Sequence, residues 1–275
     1  MPIHIILLVL FAALLHASWN ALLRGGADRL WSMTIMCIAV AIASTAAAWV
    51  LPPPASASWF YAGLSAVLHV GYNLFLVRSY QVGELGQTYP VSRGSSPILI
   101  TLCAAAFAGE AVSASTLAGI GLVSAGIISL AFKRRRLAVP SLPYALGMGC
   151  FIAAYSVTDG IGARLSGAPM AYTVWMCAMW GVLMPVVYIA LRDTRSLFAW
   201  RPGLITAAVG GLVSLLAYGI VIYAMSGAPM GAVSALRETS VLFAALIGYF
   251  FLGESLNLRK LLACVVIATG TVIIG

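Results

Sequence analysis

Charge is what this chain has least of. Only seven of its 275 residues are Asp or Glu and 8% are charged in all, where a soluble domain carries about a quarter. With 62% hydrophobic residues, a water-solvated globule is excluded and a bilayer is the solvent that fits. Histidine is nearly as scarce. His4, His16 and His69 are the whole supply and none stands in an HExxH arrangement; no Ser/His pair sits on a recognisable nucleophile turn, so an intramembrane hydrolase lacks its parts. The cysteines Cys37, Cys103, Cys150, Cys177 and Cys264 form no CxxC pair. They read as packing residues, and neither a disulfide frame, a metal site nor a bound cofactor is expected. No ring of charges and no filter-like stretch marks an ion channel.

What the chain does have is apolar runs. Crossing about 30 Å of hydrocarbon takes about 20 residues at 1.5 Å each, and ten stretches of that kind lie near 3–23, 31–51, 57–77, 86–107, 113–132, 141–163, 169–191, 202–225, 229–251 and 255–274. Strands of a barrel would alternate instead. The expected fold class is therefore all-α integral membrane, with short loops that leave no room for a second domain. The first stretch has no positively charged start and no small-residue cleavage site, so it reads as a retained helix and not as a removable signal.

The basic residues are one-sided. Loops after odd-numbered spans hold Arg24, Arg29, Arg78, the run Lys133-Arg134-Arg135-Arg136, Arg192, Arg195, Arg201, Arg259 and Lys260, twelve of the fifteen Lys and Arg, whereas the other face holds only Arg164. The positive-inside rule places the 133–136 loop in the cytoplasm and both termini outside, on the periplasmic face of an inner membrane. That distribution accounts for the net charge of +8 without a nucleic-acid partner. The partners expected are the lipid bilayer and a small-molecule substrate; the oligomeric state is open, and a monomer is compatible with everything above.

Residues 92–110 read SRGSSPILITLCAAAFAGE and residues 236–254 read LRETSVLFAALIGYFFLGE. Arg93 matches Arg237, Ser96 matches Ser240, Phe107 matches Phe251, and Gly109-Glu110 matches Gly253-Glu254, all at one offset of 144 residues. The same offset brings Gly83 onto Gly227 and Gly126 onto Gly270. A duplication follows: one membrane domain, 1–275, made of a five-span unit at 1–136 and a second at 137–275. Five is odd, so the second unit enters the membrane inverted, the arrangement in which two halves of a secondary transporter rock around a central site.

Polar groups inside the bilayer cost several kcal/mol unless paired or wetted, which makes each a functional candidate. His69, Tyr72 and Asn73 share one helix face in span three, and His16, Trp19 and Asn20 repeat that spacing in span one. With Tyr89, Tyr155, Trp175, Tyr218 and Ser234 they are the candidate lining of a substrate pocket offering ring surfaces and hydrogen bonds; helix-to-helix hydrogen bonding and interfacial aromatic belts are the competing reading. Trp31, Trp49, Trp59 and Trp200 fall at span ends, where a belt accounts for them. Arg93 and Arg237 are expected at opposite membrane faces as gate or anchor residues, the alternative being a snorkelling arginine or a local pair in which Glu238 serves Arg237. Asp159 is the candidate proton carrier, the alternative being that it caps or pairs near the end of span six. Pro90, Gly94 and Pro97 predict a hinge in span four.

Ten spans, a duplicated unit, the Gly-Glu ends at 109–110 and 253–254 each followed by a closing span, and SWNALLR in span one together resemble the EamA family of the drug/metabolite transporter superfamily over the whole chain. Trp19, Asn20 and Arg24 match the family's pattern at the end of span one only in outline. The resemblance implies an exporter of small metabolites, often amino acids and in some members aromatic ones, a subclass that His69, Tyr72, Tyr89 and Trp19 suit. Other relatives carry cationic drugs, nucleotide sugars or phosphorylated sugars. Phosphorylated cargo calls for a cluster of Lys or Arg at mid-membrane, and the linear sequence shows none. Export of other metabolites or drugs, and channel-like facilitation, are the rival functions.

Overall fold

A computed structural model describes residues 1–24, 28–82, 85–132, 142–199, 201–252 and 258–275, the side chains of 24, 79–82, 85–88, 248, 251 and 252 excepted. The described residues are helical, without a strand. In chain order the α-helices are α1 Ile3–Arg24, α2 Arg29–Ala48, α3 Trp59–Val82, α4 Leu85–Ala108, α5 Ala114–Ser129, α6 Leu142–Leu165, α7 Pro169–Leu191, α8 Thr194–Phe198, α9 Leu204–Gly227, α10 Met230–Arg237, α11 Ser240–Leu252 and α12 Leu258–Ile274.

The chain is a multi-pass membrane protein. Among the described residues eight stretches are long and apolar enough to cross a bilayer, on α1, α2, α3, α4, α6, α7, α9 and the α10–α11 pair. Two of the ten expected spans fall below that length among the described residues: α5 has 16 residues and the described part of α12 has 17, rising about 24 to 26 Å at 1.5 Å per residue.

Helix starts follow local chemistry. The carboxylate of Asp28 accepts from the Trp31 N–H at 3.2 Å and starts α2, the Ser113 hydroxyl accepts from the Thr116 N–H at 3.2 Å and starts α5, and Pro169 takes the first position of α7, where its missing N–H costs nothing.

Packing runs mainly between the two halves of the chain. α1 lies on α9 as α3 lies on α6; α2 lies on α7 and α5 on α12; α4 lies on α6 as α1 lies on α10 and α11. Lipid tails are as apolar as the helices, so close backbone approach has to supply the attraction, and small residues mark it. A Cβ on Gly119 of α5 would stand 2.8 Å from the Gly270 carbonyl of α12, and one on Gly181 of α7 would stand 2.6 Å from the Cys37 carbonyl of α2. Large apolar side chains such as Phe60, Phe107 and Val272 are exposed on the outside of the bundle.

The hinge expected at Pro90, Gly94 and Pro97 is not where the helix breaks. α4 runs unbroken through both prolines. Pro97 has no N–H for the carbonyl of Arg93, and the Ser96 hydroxyl donates to that carbonyl instead, at 3.1 Å. Gly94 serves close packing: a Cβ there would lie 2.5 Å from Ile128 Cγ1 and 2.9 Å from the Ser124 carbonyl of α5. The break falls in the counterpart, between α10 and α11. There the Thr239 N–H donates to the Leu236 carbonyl at 3.1 Å, Val241 to Glu238 at 3.1 Å and Leu242 to Thr239 at 2.8 Å, a short stretch wound to i→i+3 bonds, as is common at functional irregularities.

Candidate functional site

A cavity of about 60 Å³ lies among α1, α2, α3, α6, α7, α9 and α10. Of the residues singled out in the sequence, His69, Tyr72 and Asn73 line it from α3, Trp19 from α1, Tyr155 from α6 and Tyr218 from α9. His69 is its centre. Its Nδ1–H donates to the Ser65 carbonyl at 2.9 Å, a bond that leaves Nε2 as the unprotonated nitrogen of the neutral ring. The imidazole stacks on Tyr155 at 4.0 Å between centroids, with Trp180 at 5.3 Å and Tyr218 edge-on at 5.2 Å. Tyr72 meets Tyr155 edge-to-face at 5.7 Å. Such geometries add about 0.5–1.5 kcal/mol per ring pair beyond burial, so the wall is a rigid aromatic surface built from both halves.

Asp159 sits behind that wall, fully buried. Tyr172 donates to its Oδ1 at 2.8 Å and Tyr218 to its Oδ2 at 2.5 Å, so the carboxyl touches the cavity through the Tyr218 ring.

Four candidates do not line the cavity. The Asn20 amide donates to the His16 carbonyl one turn back at 2.8 Å, and Tyr89 lies under the Arg93 guanidinium at 5.5 Å. Trp175 faces Trp59 at 5.0 Å, and Ser234 is buried with its hydroxyl unpartnered. Trp180, Met33 and Met36 line the cavity and were not foreseen. With no His, Asn or acidic residue within α7 or α2, nothing in their sequences signals which side looks inward. Trp31 is no belt residue either: it is 2% exposed, its indole N–H donates to the Leu197 carbonyl at 3.1 Å, and Arg201 lies over its ring at 5.6 Å.

The two arginines are not at opposite faces; they converge. Arg237 donates to Glu238 Oε1 at 3.2 Å, and the Arg93 Nε stands 3.1 Å from Glu238 Oε2, close enough for an ion pair but not aligned as a hydrogen bond. Arg93 is 1% exposed, so neither snorkelling nor a purely local pair describes it. The tight turn after α10 carries Glu238 to where both halves reach it. The Trp19 indole N–H donates to His16 Nδ1 at 3.2 Å, and the Arg93 guanidinium faces Nε2 of the same ring. Arg237 and His16 both line the cavity, so a basic cluster exists inside the bundle after all.

A second, larger cavity of about 600 Å³ opens among α1, α2 and α9, walled by Asp28, Trp31 and Arg201. Met36 borders both cavities. The Asp28 carboxylate is held by Arg192 and by Arg201 at 2.7 Å. Partial burial pushes its pKa up, but the bonds from Arg192, the Trp31 N–H and Arg201 outweigh that and hold it below the usual carboxylate range. At the other end of the bundle Gly109, with φ +64°, ends α4 so that the Glu110 N–H donates to the Ala104 carbonyl at 3.2 Å. The Glu110 carboxylate then accepts from the Met230 N–H at the start of α10 at 2.9 Å and pairs with Arg164. This is what the first Gly-Glu pair does; Gly253 and Glu254, Trp200, the loop 133–136 and Gly83 lie outside the described residues.

Residues 140–275 match the EamA-like transporter family. The second half of the chain thus carries an EamA-type transporter fold. A solved protein crystal structure superposes with a TM-score of 0.77, aligned over 98% of this chain and 97% of its own at 18% identity, a likeness that concerns fold alone. No curated protein matches the chain. The matched family is one of transporters and not of catalytic domains, and among the described residues no group of three or more His, Cys, Asp or Glu is placed to hold a metal.

Proposed function

We propose that this protein is a secondary-type carrier that exports small metabolites, aromatic amino acids among them, by alternating access between two inverted five-helix repeats. The observation that carries the reading is the aromatic cavity: His69 and Tyr72 come from the first half, Tyr155, Trp180 and Tyr218 from the second, so relative motion of the halves takes the site apart or closes it. The packing supports two-fold equivalence, since α1 on α9 answers α3 on α6 and α5 meets α12 directly. The matched segment beginning at residue 140 lies within a few residues of the proposed start of the second repeat. In this proposal α5 and α12 are the fifth and tenth spans.

The one-sided basic loops orient the carrier with the Asp28 end of the bundle in the cytoplasm and the termini outside. The 600 Å³ cavity is then a cytoplasmic vestibule, and Met36 separates it from the binding site. At about 60 Å³ the inner cavity is well below the roughly 150 Å³ that admits a benzene ring, so an aromatic cargo enters only when the halves part. Asp159, joined to the cavity through Tyr218, is the group that would carry a proton if export is coupled to one.

Counterflow in proteoliposomes tests the reading. Vesicles loaded with unlabelled phenylalanine should take up external labelled phenylalanine transiently, and His69→Ala and Tyr72→Ala should abolish the overshoot. Uptake that neither saturates nor responds to internal substrate would mean a channel-like pathway instead.

A further inference from the structure

We infer that Arg237, Arg93 and His16 form a receptor for a single anionic group on the cargo, a carboxylate, at one end of the aromatic cavity. The inference rests on the carrier reading above and adds the charge of what is carried.

The cluster has more donors than acceptors and more positive charge than negative. Two guanidinium groups share one carboxylate, Glu238. Arg237 is 2% exposed, lines the cavity, and its Nε finds no hydrogen-bond partner. His16 deepens the imbalance. Its two ring nitrogens face donors, Trp19 on one side and Arg93 on the other, yet a neutral imidazole has only one unprotonated nitrogen to offer. The Trp180 indole N–H on the same cavity wall is also unpartnered. The remaining acid near the cavity, Asp159, accepts from Tyr172 and Tyr218. Buried donors left unsatisfied are costly, and an acceptor carrying one negative charge relieves both shortages at once.

The stoichiometry narrows the ligand. A surplus of one positive charge is neutralised by a carboxylate; a phosphate dianion would overshoot it, and a cationic drug would add to it. Geometry adds a coupling. Arg93 belongs to α4 in the first half and Arg237 to α10 in the second, so a carboxylate lying between them holds both halves, as Glu238 does in the structure described here.

The test uses the full-length protein with acetate, 3-phenylpropionate and phenylalanine set against phenylalaninol and phenethylamine, read by thermal unfolding in detergent and by counterflow in proteoliposomes. The acids should stabilise the protein and the alcohol and amine should not. In Arg237→Gln the advantage of the acids should shrink about tenfold or more in apparent affinity, the scale of one charge-assisted hydrogen bond, and Arg237→Lys should restore part of it. Equal stabilisation by phenylalanine and phenylalaninol overturns the receptor while leaving a carrier. Acids that stabilise the fold but give no counterflow overturn the carrier reading and leave the receptor. No stabilisation of the wild type by any of the acids overturns the receptor, whether or not the variants fold.

Discussion

The two copies of the repeated segment, α4 and the α10–α11 pair, invert the usual expectation about proline. The copy with two prolines is one unbroken helix; the copy with none at the matching positions is the one that breaks. In α4 the carbonyl that Pro97 leaves without a donor is taken by the Ser96 hydroxyl, and Gly94 lets α5 come close enough to hold the helix from outside. In the second copy Gly94 is matched by Glu238. A carboxylate cannot lie against a neighbouring helix as a glycine does, and here it turns into the protein, where Arg93 and Arg237 hold it. Which copy bends is decided by what meets the helix at that one position.

The comparison is broken most severely at Glu238. Glu238→Gln leaves two buried guanidinium groups uncompensated and should cost about 3–5 kcal/mol, seen as loss of the monodisperse folded protein on detergent size-exclusion; the double variant Arg93→Gln/Glu238→Gln, with charge and partner removed together, should recover much of it. If the single variant is as stable as the wild type, the cluster is not what holds the second copy in its broken form. Gly94→Ala comes next. Its methyl meets Ile128 and the Ser124 carbonyl, so overpacking of about 1–3 kcal/mol should lower the melting temperature, whereas Gly121→Ala, whose Cβ meets nothing within 4 Å, should not. Ser96→Ala removes the hydroxyl that substitutes for the missing N–H and should cost about 1 kcal/mol, with amide exchange faster around residues 93–97 than at the α10–α11 break.

The smallest effect lies outside the repeat, at Asp28. Its carboxyl titrates below the usual value, so its contribution is complete above an unfolded pKa of about 3.9 and is lost as pH falls through the lower folded value. Being partly exposed, the contact is worth no more than about 1 kcal/mol. Melting temperatures of wild type and Asp28→Asn should differ at pH 6 and converge in strong acid; a difference that persists there would assign the effect to packing.

Much of the fold was legible because apolar length is a one-dimensional property: helices appear at every expected span, with α5 and the described part of α12 shorter than the runs suggested and the ninth run broken between α10 and α11. The site was legible in part. His69, Tyr72 and Asn73 share a helix face that i, i+3, i+4 spacing exposes to any reader, and Trp19 follows by the same rule. Trp180 and Met36 were not, since no His, Asn or acidic residue on their helices marks the side that faces inward. The meeting of Arg93 with Glu238 was hidden for a different reason. It depends on a helix break with no glycine or proline to announce it, and on a contact across 145 positions of chain. The expectation of opposite-facing arginines followed from taking the two repeats as inverted and each arginine as lying near the start of its span.

The Arg93–Glu238–Arg237 cluster has an electrical consequence. A formal surplus of one positive charge set within the bilayer feels the transmembrane potential, about 2.3 kcal/mol for full passage at 100 mV. If the cluster shifts by a tenth of the membrane's electrical depth when the halves rock, about 0.2 kcal/mol of voltage dependence falls on the empty carrier. Loaded with a cargo that is a net monoanion, such as 3-phenylpropionate and unlike a zwitterionic amino acid, cluster and cargo together are neutral and indifferent to the field. The voltage would then govern the return of the empty protein and not the outward journey of its cargo.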